Sequence, residues 1–251
     1  MLEAFALSDP GKVRSSNQDA FRIVQESGLY LLADGMGGAR GGEKASTLAV
    51  DSVAQALAQS SHRDAAALLN AVEEANQRVF REATRDPNLE GMGTTLVAVL
   101  ETQENDVAIA SVGDSRAYLL SDGRLRAITE DQTWVQEVGR PLGLDEDSLK
   151  RHPMRHVLTM ALGVAPAVRI RYYAAPIQAG DVMLLSSDGL HGVVSESVIE
   201  RILNGTPSLE EACKKLIAAA HEVGSPDNVT VLLIRRKNPS PASPAAPPGR
   251  A

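Results

Sequence analysis

The sequence predicts an α+β fold, with antiparallel sheet and helices in separate layers. Short strand-like runs follow one another through tight turns, which favours antiparallel pairing over the crossovers of a doubly wound sheet. Helical periodicity falls in two blocks instead of alternating with every strand. The apolar share is 43%, yet only eight residues are aromatic (three Phe, four Tyr and one Trp), so the core is built from Ala, Val, Leu and Ile.

In chain order, runs at 2–7, 21–25 and 28–33 read as strands, each short, aliphatic and bounded by Gly, Asp, Asn or Pro. Residues 43–59 are Ala-rich and amphipathic. Residues 64–84 place Leu68, Val72, Ala75 and Val79 on one helical stripe, with Asp64 as the N-cap. Four more strands fall at 94–100, 107–112, 117–120 and 125–129. The polar stretch 130–158 is weakly periodic and reads as a mobile insertion with one short helix near Trp134, which anchors it. Two of its arginines, Arg140 and Arg155, read as solvated charge, with substrate contact as the second reading. Strands at 170–174 and 181–186 precede helices at 195–203 and 208–221, the second opened by the capping-box pattern Ser208-x-x-Glu211. A strand at 229–235 closes the domain, which is expected to span 1–237. Residues 238–251 hold five of the 13 prolines and read as a disordered tail or linker remnant.

Composition removes several functions. A net charge of −7 without a basic block does not suit a general binder of nucleic-acid backbone. No apolar run approaches the roughly 20 residues of a membrane span, and no secretion signal opens the chain. The single cysteine, Cys213, lies on the apolar stripe of a helix and reads as core. A reducing, cytoplasmic compartment is expected.

One local pattern recurs. Apolar runs stop abruptly at Asp34, Asp114 and Asp188, and Asp227 immediately precedes the last strand. Asp122-Gly123, flanked by strands, is a hairpin turn, but Asp34 and Asp188 lead into helices. Carboxylates gathered at one sheet end repel one another, and hard divalent cations such as Mg²⁺ or Mn²⁺ would resolve this. Two readings stand side by side: a two-metal carboxylate site, or unrelated caps and turns. Zinc does not fit, with no cysteine pair and five histidines without ligand spacing. Arg40 breaks the dinucleotide fingerprint begun by Gly35-x-Gly37, and no P-loop follows.

Taken in order, seven segments resemble those of the metal-dependent protein phosphatases, the type 2C Ser/Thr family, in its bacterial branch. They are Gly11-Lys12-Val13-Arg14-Ser15-Ser16-Asn17-Gln18-Asp19, Ala33-Asp34-Gly35-Met36-Gly37-Gly38, Gly91-Met92-Gly93-Thr94-Thr95, Val112-Gly113-Asp114-Ser115-Arg116, the stretch from His152-Pro153 to Ala161-Leu162-Gly163, Ser187-Asp188-Gly189 and Asp227-Asn228-Val229-Thr230. The resemblance implies a four-layer αββα sandwich with a binuclear Mn²⁺ or Mg²⁺ centre and room for a third ion. By motif match, Asp34 bridges both ions, the Gly35 carbonyl binds the second, Asp188 and Asp227 bind the first, and Asp114 with Asp188 forms the third position. Arg14 matches the arginine that holds substrate phosphate, and Asp19 the carboxylate that orients the attacking water.

The implied activity is hydrolysis of phosphoserine and phosphothreonine in proteins by a metal-activated water. A monomer opposing a eukaryotic-like Ser/Thr kinase is expected. Three departures mark the chain: Gln18 stands where many relatives carry Glu, Met36 where eukaryotic members carry a histidine, and Ser225-Pro226 before the last metal motif. Gln18 and Ser225-Pro226 motivate the second reading, a binding protein without turnover. His156 and His191, each beside a motif, read as structural.

Overall fold

Side-chain alternation along the strands decides the layering. A computed structural model describes residues 2–102 and 106–237. The chain runs β1 (Leu2–Asp9), β2 (Asp19–Val24), β3 (Leu29–Met36), α1 (Gly38–Gln59), α2 (Ala65–Arg85), β4 (Gly93–Thr94), β5 (Leu96–Glu101), β6 (Asp106–Val112), β7 (Arg116–Ser121) and β8 (Arg124–Ala127). It continues through α3 (Glu146–Arg151), β9 (Arg171–Pro176), β10 (Val182–Ser186), α4 (Asp188–His191), α5 (Glu196–Asn204), α6 (Leu209–Glu222) and β11 (Val229–Arg236). One sheet has the order β1-β11-β10-β7-β8. The other is β2-β3-β5-β6-β9, with β4 added to β3. Every pairing is antiparallel.

Because strand residues alternate faces, β3 sends Leu29, Leu31 and Ala33 toward Ala49, Val53, Leu68, Val72 and Val79 of α1 and α2. Its Tyr30 and Leu32 point the other way, between the sheets, among Val97, Val99, Leu185 and Leu232. On β11, Val231 and Leu233 face Cys213, Leu216 and Ile217 of α6, whereas Leu232 and Ile234 fill the space between the sheets. Three apolar layers therefore separate four structural ones, which is the expected αββα sandwich. Cys213 is buried, with its thiol pushed up to about 12 mainly by burial, so it is core. No helix among the described residues is long and apolar enough to cross a membrane.

The structure corrects the sequence reading in three places. The first helix begins at Gly38 and not at 43, absorbing most of the glycine run. Gly41 and Gly42 lie inside the helix for close approach: a Cβ on Gly41 would stand 3.1 Å from Met92 Cβ, and one on Gly42 2.8 Å from the Gly35 carbonyl. The strand expected at 94–100 is divided at Thr95, whose N–H donates to the Asp34 carbonyl at 2.8 Å. The insertion at 130–158 carries a π-helical turn (Val135–Gly139) as well as α3, and it is pinned down. Trp134 stacks on His152 with centroids 4.0 Å apart and planes 11° from parallel, as an anchor should. Asp64 does cap α2, accepting from the Ala67 N–H at 2.9 Å. The proline-rich segment 238–251 lies outside the described residues.

One buried amide ties α2 to the loop before β9. Asn76 Oδ1 accepts from the Gly163 N–H at 2.9 Å, and Nδ2 donates to the carbonyls of Ala165 and Pro166 at 3.1 and 3.3 Å. Asn76→Ala leaves these groups unpaired at a cost of about 1–3 kcal/mol. A chain of this size loses roughly 2–4 °C of Tm per kcal/mol, so thermal unfolding should drop by several degrees.

Candidate metal centre

Five chain segments bring their aspartates to one end of the sandwich. Asp19 opens β2 and stands opposite Asp34 near the end of β3 in the strand register. Asp114 lies in the turn between β6 and β7, Asp188 opens α4 just after β10, and Asp227 precedes β11. Asp34, Asp114, Asp188 and Asp227 line one cleft of about 1190 Å³ with Arg14, Gly35, Met36, Arg116, His156 and His191. Asp19 sits beneath this set, its Oδ2 accepting from Ser187 Oγ at 2.8 Å. The structure thus brings together Arg14, Asp19, Asp34, Gly35, Asp114, Asp188 and Asp227.

Neutral hydrogen bonds hold these segments. Thr95 Oγ1 accepts from the Asp34 N–H at 2.9 Å and pairs with Ser115 Oγ at 2.7 Å, linking the Asp34 and Asp114 loops. Thr94 Oγ1 donates to the Asp34 carbonyl at 2.8 Å. Gln132 clamps Gly113 from both sides, its Oε1 accepting the Gly113 N–H and its own N–H donating to the Gly113 carbonyl. Asn228 takes the Gln18 N–H on Oδ1 and gives Nδ2 hydrogens to the carbonyls of Pro10 and Ser16, so it fastens the Arg14 segment to Asp227. At Gly189 a Cβ would stand 1.9 Å from the Asn228 carbonyl oxygen, which lets the Asp188 turn lie against the Asp227 loop.

His191 closes the scaffold from beneath. Its Nδ1 lies 2.9 Å from Ser186 Oγ, and its ring bonds the backbone carbonyl of Asp114. Burial, reinforced by Arg116, pushes its pKa well below the usual imidazole range, so the ring is neutral and structural.

The charges are unbalanced. Burial, then the charges of neighbouring aspartates, raises Asp34 well above the carboxylate range. Burial is the first cause at the others too: Asp19 is raised to about 6 despite bonds from Thr230 and Ser187, and Asp114 to about 7 with help from Asp188 and Asp131. Asp188 is raised by burial and Asp227, although it bonds Asp34 directly. Two carboxyl groups in contact need a shared proton or a cation. Asp19 Oδ1 and Asp188 Oδ1 are buried with no hydrogen-bond partner, and such orphaned oxygens are what a hard cation takes up. Among the described residues, no three acidic or imidazole side chains close on one point as a complete cage. The three carboxylates implied for the first ion, Asp34, Asp188 and Asp227, are therefore not closed on one point, and Asp227 Oδ2 is held by Arg14.

A family model of protein phosphatase 2C matches residues 12–228. The chain belongs to this family. It is a serine/threonine protein phosphatase of the metal-dependent type. It is 37% identical over 242 residues to the serine/threonine phosphatase stp of Listeria welshimeri, covering 91% of this chain and 94% of that one. It is 38% identical over 237 residues to the serine/threonine protein phosphatase PstP of Mycobacterium tuberculosis, covering 93% of this chain and 45% of the longer relative. The crystal structure of that PstP superimposes with a TM-score of 0.86 at 37% identity, covering 94% of this chain and 99% of the other. A PstP catalytic domain in complex with two manganese ions gives 0.84 at 36% identity, with the same coverage.

Two departures from the family pattern are structurally employed. Gln18 Nε2 donates to the Gly38 carbonyl at 2.7 Å, a bond that an ionised Glu could not make, and so holds the loop after Gly35. Ser225 Oγ donates to the Gly189 carbonyl at 2.9 Å and braces the turn of Asp188. Arg14 Nη2 donates to Asp227 Oδ2 at 2.6 Å. Sequence reasoning did not single out Thr95, Ser115, Gln132 or Asn228 as positioning residues. Thr95, Ser115 and Asn228 fall inside the matched segments, with no role assigned to them there, and Gln132 lies outside those segments and carries no such signal.

Two outcomes follow from these contacts. Replacing His191 by Leu strands the Ser186 hydroxyl and the Asp114 carbonyl, at about 1–3 kcal/mol each; Tm should fall by several degrees, and His191→Gln should recover part of it. The raised carboxyls bind protons more tightly folded than unfolded, so they favour the fold below about pH 4, and that contribution is lost as pH rises through 6 to 7. In chelator, Tm should therefore fall between pH 5 and 7.5, less steeply in Asp114→Asn. Added Mn²⁺ should raise Tm more at the higher pH.

Proposed function

We propose that residues 1–237 form the catalytic domain and hold two divalent ions, Mn²⁺ or Mg²⁺, for hydrolysis of phosphoserine and phosphothreonine. Asp34 and the Gly35 carbonyl, with Asp188 and Asp227, supply the oxygen donors, and Asp114 with Asp188 offers a third position. The observation that supports this best is the pair of buried, unpartnered oxygens on Asp19 and Asp188 beside the contact of Asp34 with Asp188. Bound there, the ions would supply Lewis-acid polarisation of the phosphoryl group and make a water acidic enough to attack at neutral pH.

The chain's own groups do the rest. Arg14 keeps its guanidinium half exposed at the cleft and offers planar donors to the phosphate oxygens. Asp19 Oδ1 has a free lone pair with which to orient and deprotonate the attacking water. No nucleophilic Ser or Cys is needed. The chain acts as a monomer in the cytoplasm on proteins phosphorylated by a eukaryotic-like Ser/Thr kinase, a setting that suits its single buried thiol. Gln18 and Ser225 have structural employment, which removes the motive for a binding protein without turnover.

Purified protein should hydrolyse a phosphothreonine peptide with Mn²⁺ and lose the activity in chelator. Asp188→Asn should lower kcat by at least about 100-fold, as loss of one charge-stabilising group at a catalytic centre does, while Arg14→Lys should chiefly raise KM. Equal rates with and without metal would overturn the assignment.

A further inference from the structure

The cleft is larger than the chemistry needs. Pockets for whole drug-sized ligands run to roughly 300–1,000 Å³, whereas this cleft measures about 1190 Å³ and a single phosphorylated side chain fills little of it. Its charges are also sorted. Arg116 is committed to Asp131, Arg140 to Glu146 and Arg14 to Asp227. Among the described residues this leaves Asp34, Asp114 and Asp188 in the lining, together with Lys150 and Arg155 of the insertion, the two lining cations without a carboxylate partner.

That insertion is rigid. The insertion is zipped at its base, where the Trp134 N–H donates to the Val157 carbonyl at 2.8 Å and the Thr159 N–H to Gln132 at 2.9 Å. Glu137 fastens it to the sheet by accepting from Thr159, Arg169 and Arg171. Leu149 is buried against Gly139, where a Cβ would lie 2.5 Å from Leu149 Cδ2 and 3.0 Å from Trp134, so α3 cannot drift. The Arg155 N–H donates to the His152 carbonyl at 3.1 Å and the Val157 N–H to Met154 at 3.0 Å, fixing the turn that presents Arg155. Two cations without a carboxylate partner thus line the same cleft as the aspartates, in a chain of net charge −7, and the cleft is larger than one phosphoresidue needs.

We propose that Lys150 and Arg155 form an anion subsite for the part of the substrate flanking the scissile phosphoresidue, so that phosphosites with a second negative charge nearby are preferred. The second charge is a carboxylate or another phosphate. The inference rests on the phosphatase reading above and deepens it to a substrate class.

The test uses the full chain with Mn²⁺ on p-nitrophenyl phosphate and on one phosphothreonine peptide with neutral, two-Glu, two-Lys or second-phosphothreonine flanks. Two exposed ion pairs are together worth about a tenfold gain in kcat/KM, expected for the acidic or doubly phosphorylated peptide over the neutral one and fading at about 1 M salt. A gain for the second phosphate alone narrows the subsite to phosphate; equal gains make it general for anions. K150A/R155A should level the panel while leaving p-nitrophenyl phosphate hydrolysis unchanged, and K150E/R155E should favour the Lys-flanked peptide. A wild type blind to flanking charge, or a preference that survives in K150A/R155A, overturns the subsite alone. Absence of p-nitrophenyl phosphate hydrolysis in the wild type would overturn the phosphatase reading and the subsite with it.

Discussion

Five aspartates from five segments meet, partly buried, at one end of the sandwich, and Asp34 and Asp188 touch. Their mutual repulsion and desolvation work against the fold, and the surrounding structure is organised to contain them. The sheets supply the force, because burying Leu31, Leu32, Leu184, Leu185, Leu232 and Leu233 in three apolar layers fixes the strands whose ends carry the charges. The loops then need only stay where the strands leave them. A cation among these oxygens would reverse the sign of the interaction, turning a repulsive cluster into a ligand set. Metal binding in the proposed site would thereby be linked to folding through these side chains.

Containment is achieved with neutral partners. A cationic side chain inside the cluster would compete with metal for the carboxylates; Arg14 reaches Asp227, and Arg116 is held by Asp131 through two bonds of 2.8 and 2.7 Å. The backbone is instead stapled by hydroxyls and amides: Thr95 to Ser115, Gln132 to Gly113, Asn228 to the Arg14 segment, His191 to Asp114. Such bonds orient a loop without adding charge, so the carboxylates keep their lone pairs for a cation. Glycines complete the arrangement where loops meet. Gly11 has a φ of +74° and a Cβ there would lie 2.4 Å from the Asp227 carbonyl oxygen, so a larger residue would force apart the two loops that carry Arg14 and Asp227.

The strands and the charged residues were legible in the sequence because both are local signals. Asp34 and Asp188 announce themselves where an apolar run ends and a helix begins, and Asp64 announces α2 by capping it. The glycine run misled, since Gly41 and Gly42 look like loop but sit in α1 to admit Met92 and Gln18; close approach between distant segments leaves no trace in local pattern. The insertion misled for a similar reason. Its polarity suggested a mobile loop, but its order comes from Glu137 meeting Arg169 and Arg171, and from Leu149 meeting Trp134, contacts between positions that no period connects. Thr95 and Gln132 were invisible as site residues because each acts on backbone belonging to another segment.

In the proposed reading, in which Arg14 receives the substrate phosphate, the same cluster readies it. A long, exposed arginine side chain loses rotamer freedom when it captures a ligand, and that loss weakens binding. Here one N–H of the guanidinium is already held by Asp227, while the side chain remains about half exposed at the cleft. Because the fork has five donors, the bond to Asp227 leaves enough of them to meet two phosphate oxygens. The ion pair therefore orients the group in advance instead of blocking it, and much of the entropy of immobilising Arg14 is lost at folding, before substrate arrives. Asp227, proposed above as a metal ligand, thus also aims Arg14. That double use explains why Asn228, which ties these two loops together through Pro10, Ser16 and Gln18, sits immediately beside Asp227 in the chain.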